Sequence, residues 1–143
     1  MKRISTLIAV FVVLSAFGAL VANAQEKPRQ LISVYNVATG KHLQFLKWQA
    51  DREAVDKEIG APATQWYVHQ NGAGWDYISI TEEPDAAKAA ELDKKRTELL
   101  KKKGMTTGMA ASLEFRQFVG NHTDTYAGGP YTAAEIVKMA EMK

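Results

Sequence analysis

The stretch Trp66–Thr81 (Trp-Tyr-Val-His-Gln-Asn-Gly-Ala-Gly-Trp-Asp-Tyr-Ile-Ser-Ile-Thr) most narrows the folds open to this chain. Aromatic and β-branched runs flank Asn71-Gly72-Ala73-Gly74, residues that tolerate positive φ, so two strands joined by a tight connection are predicted. Four candidate loop residues leave the register open. Side chains alternate across a strand, so Trp66, Val68 and Gln70 share one face and Tyr67 and His69 the other. In the second strand Ile78 and Ile80 form the apolar pair expected under helices, with Trp75, Tyr77, Ser79 and Thr81 opposite. The other face is then expected to gather Tyr67, His69, Trp75 and Tyr77, side chains with an apolar body and a polar tip. Such groups suit a half-wet cavity or an interface, or they form cross-strand pairs that only stabilise the sheet.

The rest of the chain supplies partners for this hairpin. Leu31–Val37 reads as a first strand, with Tyr35 and Asn36 on opposite faces. A helix follows over about 41–59, with Phe45, Trp48, Val55 and Ile59 in one stripe, and Gly60-Ala61-Pro62 ends it. His42 falls in its first turn and is expected to be exposed. Beyond the hairpin, Asp85 caps a helix whose apolar face carries Ala89, Leu92, Leu99 and Leu100. Lys101-Lys102-Lys103 match the negative end of that helix dipole. Residues 105–112 read as a loop or a helical extension. Leu113–Val119 is the expected fourth strand, placing Glu114, Arg116 and Phe118 on the face of the hairpin aromatics. Gly120–Tyr131 is expected to be a long loop, and Thr132-Ala133-Ala134-Glu135 is a capping box opening a final helix.

Before all of this, Lys2 and Arg3 precede an apolar run from Ile4 to Val21, and Ala22-Asn23-Ala24 gives a small-x-small cleavage pattern. That layout predicts a secretory signal peptide over residues 1–24 and one domain over 25–143. An uncleaved anchor is the alternative, since the run approaches spanning length. Removing 24 of the 143 residues leaves 119, enough for one core. Of 18 basic and 16 acidic residues, Lys2 and Arg3 leave with the signal, so the mature chain is balanced at 16 each. Nucleic-acid binding thus has no electrostatic support. With no cysteine there is neither a disulfide nor a thiolate metal site. An exported chain without disulfides fits a periplasmic or secreted bacterial setting.

The order β-α-β-β-α-β is the ferredoxin-like α+β arrangement, here with a four-stranded antiparallel sheet, helices on one face and an extra C-terminal helix. Together with Ala38-Thr39-Gly40-Lys41-His42 between first strand and helix, the helix residues Phe45 and Trp48, and the aromatic hairpin, it resembles the dimeric α/β-barrel superfamily over about 31–119. That superfamily includes antibiotic-biosynthesis-type monooxygenases, haem-degrading monooxygenases and stress-responsive barrel proteins. The resemblance implies a homodimer whose sheets pair face to face and enclose the ligand site. In the haem-degrading branch it would align Asn36 and Trp66 or Trp75 with site residues. That branch also uses a histidine on the second helix, and residues 85–103 contain none.

Chemistry-bearing residues are few. His122-Thr123-Asp124 sets a potential base beside a carboxylate, so His122 and Asp124 are the candidate proton-transfer pair, or they simply hold a turn. Three histidines at no ligating spacing give no metal site, and no motif names a cofactor. The expected ligand is a small apolar or aromatic molecule lined by Asn36, Tyr67, His69, Trp75, Tyr77 and Arg116, with His122, Asp124 and Tyr126 at the mouth. Cofactor-independent monooxygenase-like activity is one outcome. The other is a non-enzymatic envelope protein whose aromatic face serves dimerisation or a protein partner.

Overall fold

In the computed structural model, which describes residues 27–72 and 74–142, every strand pairing is antiparallel and one four-stranded sheet results. The segment read as a signal peptide lies outside the described residues. The elements are β1 (Arg29–Val37), α1 (His42–Glu58), β2 (Thr64–Val68), β3 (Tyr77–Glu82), α2 (Ala86–Lys102), α3 (Gly108–Phe115), β4 (Val119–Gly128) and α4 (Ala133–Glu141). The sheet order is β2-β3-β1-β4, the ferredoxin-like order, with α1 and α2 on one face. Among the described residues no helix is long and apolar enough to cross a membrane.

Registers define rows of side chains across the helix-covered face. One row is Val68, Tyr77, Tyr35 and His122; the next is Trp66, Ser79, Ser33 and Asp124; the third is Thr64, Thr81, Leu31 and Tyr126. The core forms over the first row. Phe45 of α1, fully buried, packs its ring 5.1 Å from Tyr35 and 5.8 Å from Tyr77, and Trp66, Phe115 and Phe118 close around them. Aromatic rings tilted and offset at these distances are the favourable arrangement.

Tyr67 lies on the face away from the helices as expected, but the faces of the second hairpin strand are the reverse of the expected ones. Ile78 and Ile80 point away from the helices, with Val34, Ile32 and Tyr67 as neighbours, whereas Tyr77 is buried beneath α1. Pairing continues to His69 opposite Asp76, which leaves an even-numbered connection. An even connection sets residues of opposite parity across from each other, so Tyr67 joins Ile78 and Trp66 joins Ser79.

The fourth strand also lies elsewhere. Residues expected to form it, 113–119, are mostly the end of α3 and a turn, and the polar stretch expected as a loop is β4. Ala110-Ala111 and Leu113 favour a helix, and that helix delivers Phe115 to the core. β1 needs a partner along its length, and the Thr-rich, charged Val119–Gly128 segment suits a solvent-exposed edge. The final helix forms as expected, with Thr132 and Glu135 completing the capping box.

Candidate functional site

Beyond the aromatic core the helices stand off the sheet, leaving a cleft of about 390 Å³ between α1, α2 and the second and third rows. Its floor is the buried cross-strand pair Ser33 and Ser79, with the Tyr35 hydroxyl 3.3 Å from Ser79 Oγ. Thr64 and Thr81 extend the floor and share a hydrogen bond of 2.9 Å. Leu31, Ile59 and Leu92 give apolar wall, and the Trp66 ring stacks beside Tyr35 at 5.6 Å. Trp66 donates its indole N–H to Glu53, which fixes the ring orientation.

The roof is charged. The α1 stripe from Phe45 through Trp48 and Val55 to Ile59 has Arg52 at its centre, and the α2 stripe from Ala89 through Leu92 to Leu99 has Arg96 at its centre. Helix geometry therefore aims both arginines inward, where a leucine would otherwise complete the core. Arg52 is 6% exposed; its guanidinium stacks 3.5 Å from the Trp48 ring centroid, donates to the carbonyl (3.2 Å) and hydroxyl (2.9 Å) of Thr106, and lies 3.6 Å from Glu114. Burial lowers the Arg52 pKa and Glu114 opposes the shift. Arg96 donates from Nη2 to Asp56 Oδ2 at 2.9 Å, whereas its buried Nε lies 2.7 Å from Oδ1 without a hydrogen bond. Burial nevertheless raises the Asp56 carboxyl above its usual value, outweighing Arg96. A buried charge such as Arg52 and buried hydroxyls such as Ser33 and Ser79 at a helix–sheet interface are costly to folding unless something polar uses them; Arg96 and Asp56 are partly exposed.

The residues expected to line a site are dispersed. Tyr77 belongs to the core, its hydroxyl 3.3 Å from His42 Nδ1, so His42 is half-buried rather than exposed. Tyr67 is on the uncovered sheet face, half exposed. Asn36, on that same face, donates to the Gly74 carbonyl at 2.6 Å and ties the hairpin end to β1. His69 and Trp75 pack on each other in the hairpin end, centroids 5.0 Å apart. Arg116 caps the end of α3 and is exposed, so it is on neither sheet face. Tyr126 is an edge-strand residue, its ring under the Arg29 guanidinium. His122 and Asp124 alternate onto the helix side of β4, 3.7 Å apart. His122 covers the flank of Tyr35 and Phe115, and neither His122 nor Asp124 lines the cleft. Among the described residues no three His, Asp or Glu side chains cluster as a metal site.

The sequence matches no protein-family model and no curated protein. The structure does have neighbours. A crystal structure of an Arabidopsis thaliana protein shares 10% identity at a TM-score of 0.51, over 74% of this chain and 99% of that one. A NIPSNAP family protein from Agrobacterium tumefaciens shares 12% identity at 0.51, over 76% of this chain and 90% of that one. The fold is ferredoxin-like. A Mesorhizobium loti protein described as a dabb family protein with a ferredoxin-like fold aligns at a TM-score of 0.46 and 10% identity, over 73% of this chain and 97% of that one. Identities this low speak for fold alone, and that fold agrees with the one expected from the barrel-superfamily resemblance.

Proposed function

We propose that this chain is an exported, homodimeric binding protein for a small molecule held between its helices and its sheet. The observation that carries the reading is the cleft, where a ferredoxin-like layer interface would normally be filled by aliphatic side chains. Here both floor and roof are polar at matching heights: Ser33 and Ser79 below, Arg52 and Arg96 above. A volume of about 390 Å³ lies within the range of small-ligand sites. The stacked rings of Trp66 and Tyr35 provide a flat wall for a planar group.

Export rests on the amino-terminal sequence. Dimerisation draws support from the uncovered sheet face, where Ile32, Val34, Ile78 and Ile80 form an aliphatic centre beside Tyr67. In this reading the sheet-to-sheet contact builds the dimer, and the ligand lies on the other face of each sheet. Because His122 and Asp124 stand outside the cleft lining, the proposal is of binding and not of turnover.

Native mass spectrometry of the mature protein from its own host tests this. The expected species is a dimer carrying extra mass of small-molecule size, absent from a Ser33→Val/Ser79→Val variant. A ligand-free monomer, or added mass that the double variant retains, contradicts it.

A further inference from the structure

We infer that α4 is a dimerisation arm, its apolar stripe of Ala133, Ile136, Val137 and Ala140 covered by a second copy of this chain at the rim of the sheet-to-sheet contact. This role rests on the proposed homodimer and adds the element that completes its interface.

The nine residues of α4 have a capping box but no buried member. Glu135 and Met139, one turn apart, share the side that meets the domain. Glu135 accepts from Lys27 Nζ at 2.7 Å, and Met139 joins Lys27, Arg29, Tyr126 and Tyr131 around a shallow recess. Helical periodicity then sets Ala133, Ile136, Val137 and Ala140 on the side turned away from those contacts. Ile136 is 53% exposed and Val137 55%. The helix is therefore tied to its own domain through Lys27 and presents its apolar stripe outward. An isolated helix of this length is marginal in water, and Ile and Val are weak helix formers without packing. Such a segment needs a cover that is present whenever the chain is folded.

A second copy meets that need, and the surroundings of α4 point to it. Gly129 and Pro130, which lead into the Thr132 N-cap, line a recess of about 310 Å³ on the uncovered sheet face together with Ile32, Tyr67 and Ile80. The arm thus starts at the rim of the face proposed to build the dimer. Beside its aliphatic centre that face carries the uncharged Gln65, Thr123 and Thr125, so a like copy can meet it there without desolvating a charge. Ile32, Val34, Ile78 and Ile80 are already half-buried within the protomer. With Tyr67 alone their apolar area falls short of the roughly 800 Å² per partner of a stable interface. The α4 stripe adds apolar area at the edge, and two-fold symmetry makes the addition twice. A lipid surface fits less well. The polar side of α4 carries Glu135, Lys138 and Glu141, not the basic belt of a helix that lies on membranes.

Analytical ultracentrifugation and hydrogen exchange test this on the mature chain in three forms: wild type, Ile136→Ser/Val137→Ser, and Ile80→Asp. Removing the stripe should weaken the dimer about tenfold. The α4 amides should be protected in the wild-type dimer and exchange at coil-like rates in the Ile80→Asp monomer, while β1 and β3 stay protected in both. A wild-type dimer that the stripe variant weakens by less than about threefold overturns the arm and leaves the sheet-to-sheet dimer standing. Equal α4 protection in the wild-type dimer and the Ile80→Asp monomer does the same. A wild type that stays monomeric at every concentration overturns both. Binding of wild type, but not of the stripe variant, to phosphatidylcholine–phosphatidylglycerol vesicles, with the dimer unweakened, assigns the stripe to a membrane and overturns the second copy.

Discussion

If Ser33 and Ser79 serve a ligand rather than the fold, making them apolar should raise stability while abolishing binding. Both are buried on the helix side of the sheet, and both face a cleft rather than a packed core, so added methyl groups have room. Each Ser→Val change adds roughly two apolar carbons, worth about 0.8 kcal/mol apiece when fully buried. The open cleft buries them only in part, which reduces about 3 kcal/mol for the pair to about 2. Against this stands the loss of the long Tyr35–Ser79 contact at 3.3 Å, worth no more than about 1 kcal/mol. β-branched residues also favour the strand. The double variant should therefore gain about 1 kcal/mol, raising Tm by roughly 3–6 °C. Urea unfolding followed by tryptophan fluorescence, with circular-dichroism melts of ligand-free protein, reads this directly. Destabilisation beyond about 1 kcal/mol, with ligand binding intact, would refute the reasoning: the hydroxyls would then be holding the fold.

Phe45→Ala removes the fully buried ring at the centre of the aromatic core and should cost about 3–5 kcal/mol in urea unfolding, with a loss below 1.5 kcal/mol contradicting that placement. Ile80→Asp puts a charge into the middle of the uncovered sheet face, so sedimentation should show the proposed dimer falling to monomer with an unchanged far-UV spectrum. Lys27 holds the Glu135 carboxyl down at about 2, with the Thr132 backbone assisting. A depressed carboxylate supports the folded state above its ordinary value and loses that support as pH falls through the folded one. The α4 amide signals should accordingly titrate near 2 by NMR, and Lys27→Met should move the midpoint upward toward the usual glutamate range.

The element order was legible because long-range patterning survives single ambiguous residues. Phe45, Val55 and Leu92 fall on the buried stripes that helical periodicity marks, and Gly60 and the Thr132–Glu135 box end and begin helices where expected. The hairpin failed on parity. Ile78 and Ile80 look more like core than Tyr77 and Ser79, and hydrophobicity alone put them under the helices. The connection between His69 and Asp76 has an even number of residues, however, and counting across it sets Trp66 and Tyr77 on one side. The fourth strand failed because an edge strand need not be apolar: Asn121 to Thr125 pair with β1 through backbone groups that composition does not reveal. The cleft had a signal that was passed over. Arg52 and Arg96 interrupt the two apolar stripes at their centres, and Ser33 and Ser79 interrupt the inward-facing alternation of the two central strands. Polar residues at the same height on four packed elements point to a site more surely than scattered aromatics do.

The most direct test of the account is a crystal structure of the mature protein purified with its bound molecule from its own host. The account predicts two protomers joined through Ile32, Val34, Ile78 and Ile80, with ligand density between Ser33, Ser79 and Trp66 on the sheet and α1 and α2 above. Density enclosed between the two sheets, or a cleft closed by α1 and α2 settling onto the serines, would contradict it.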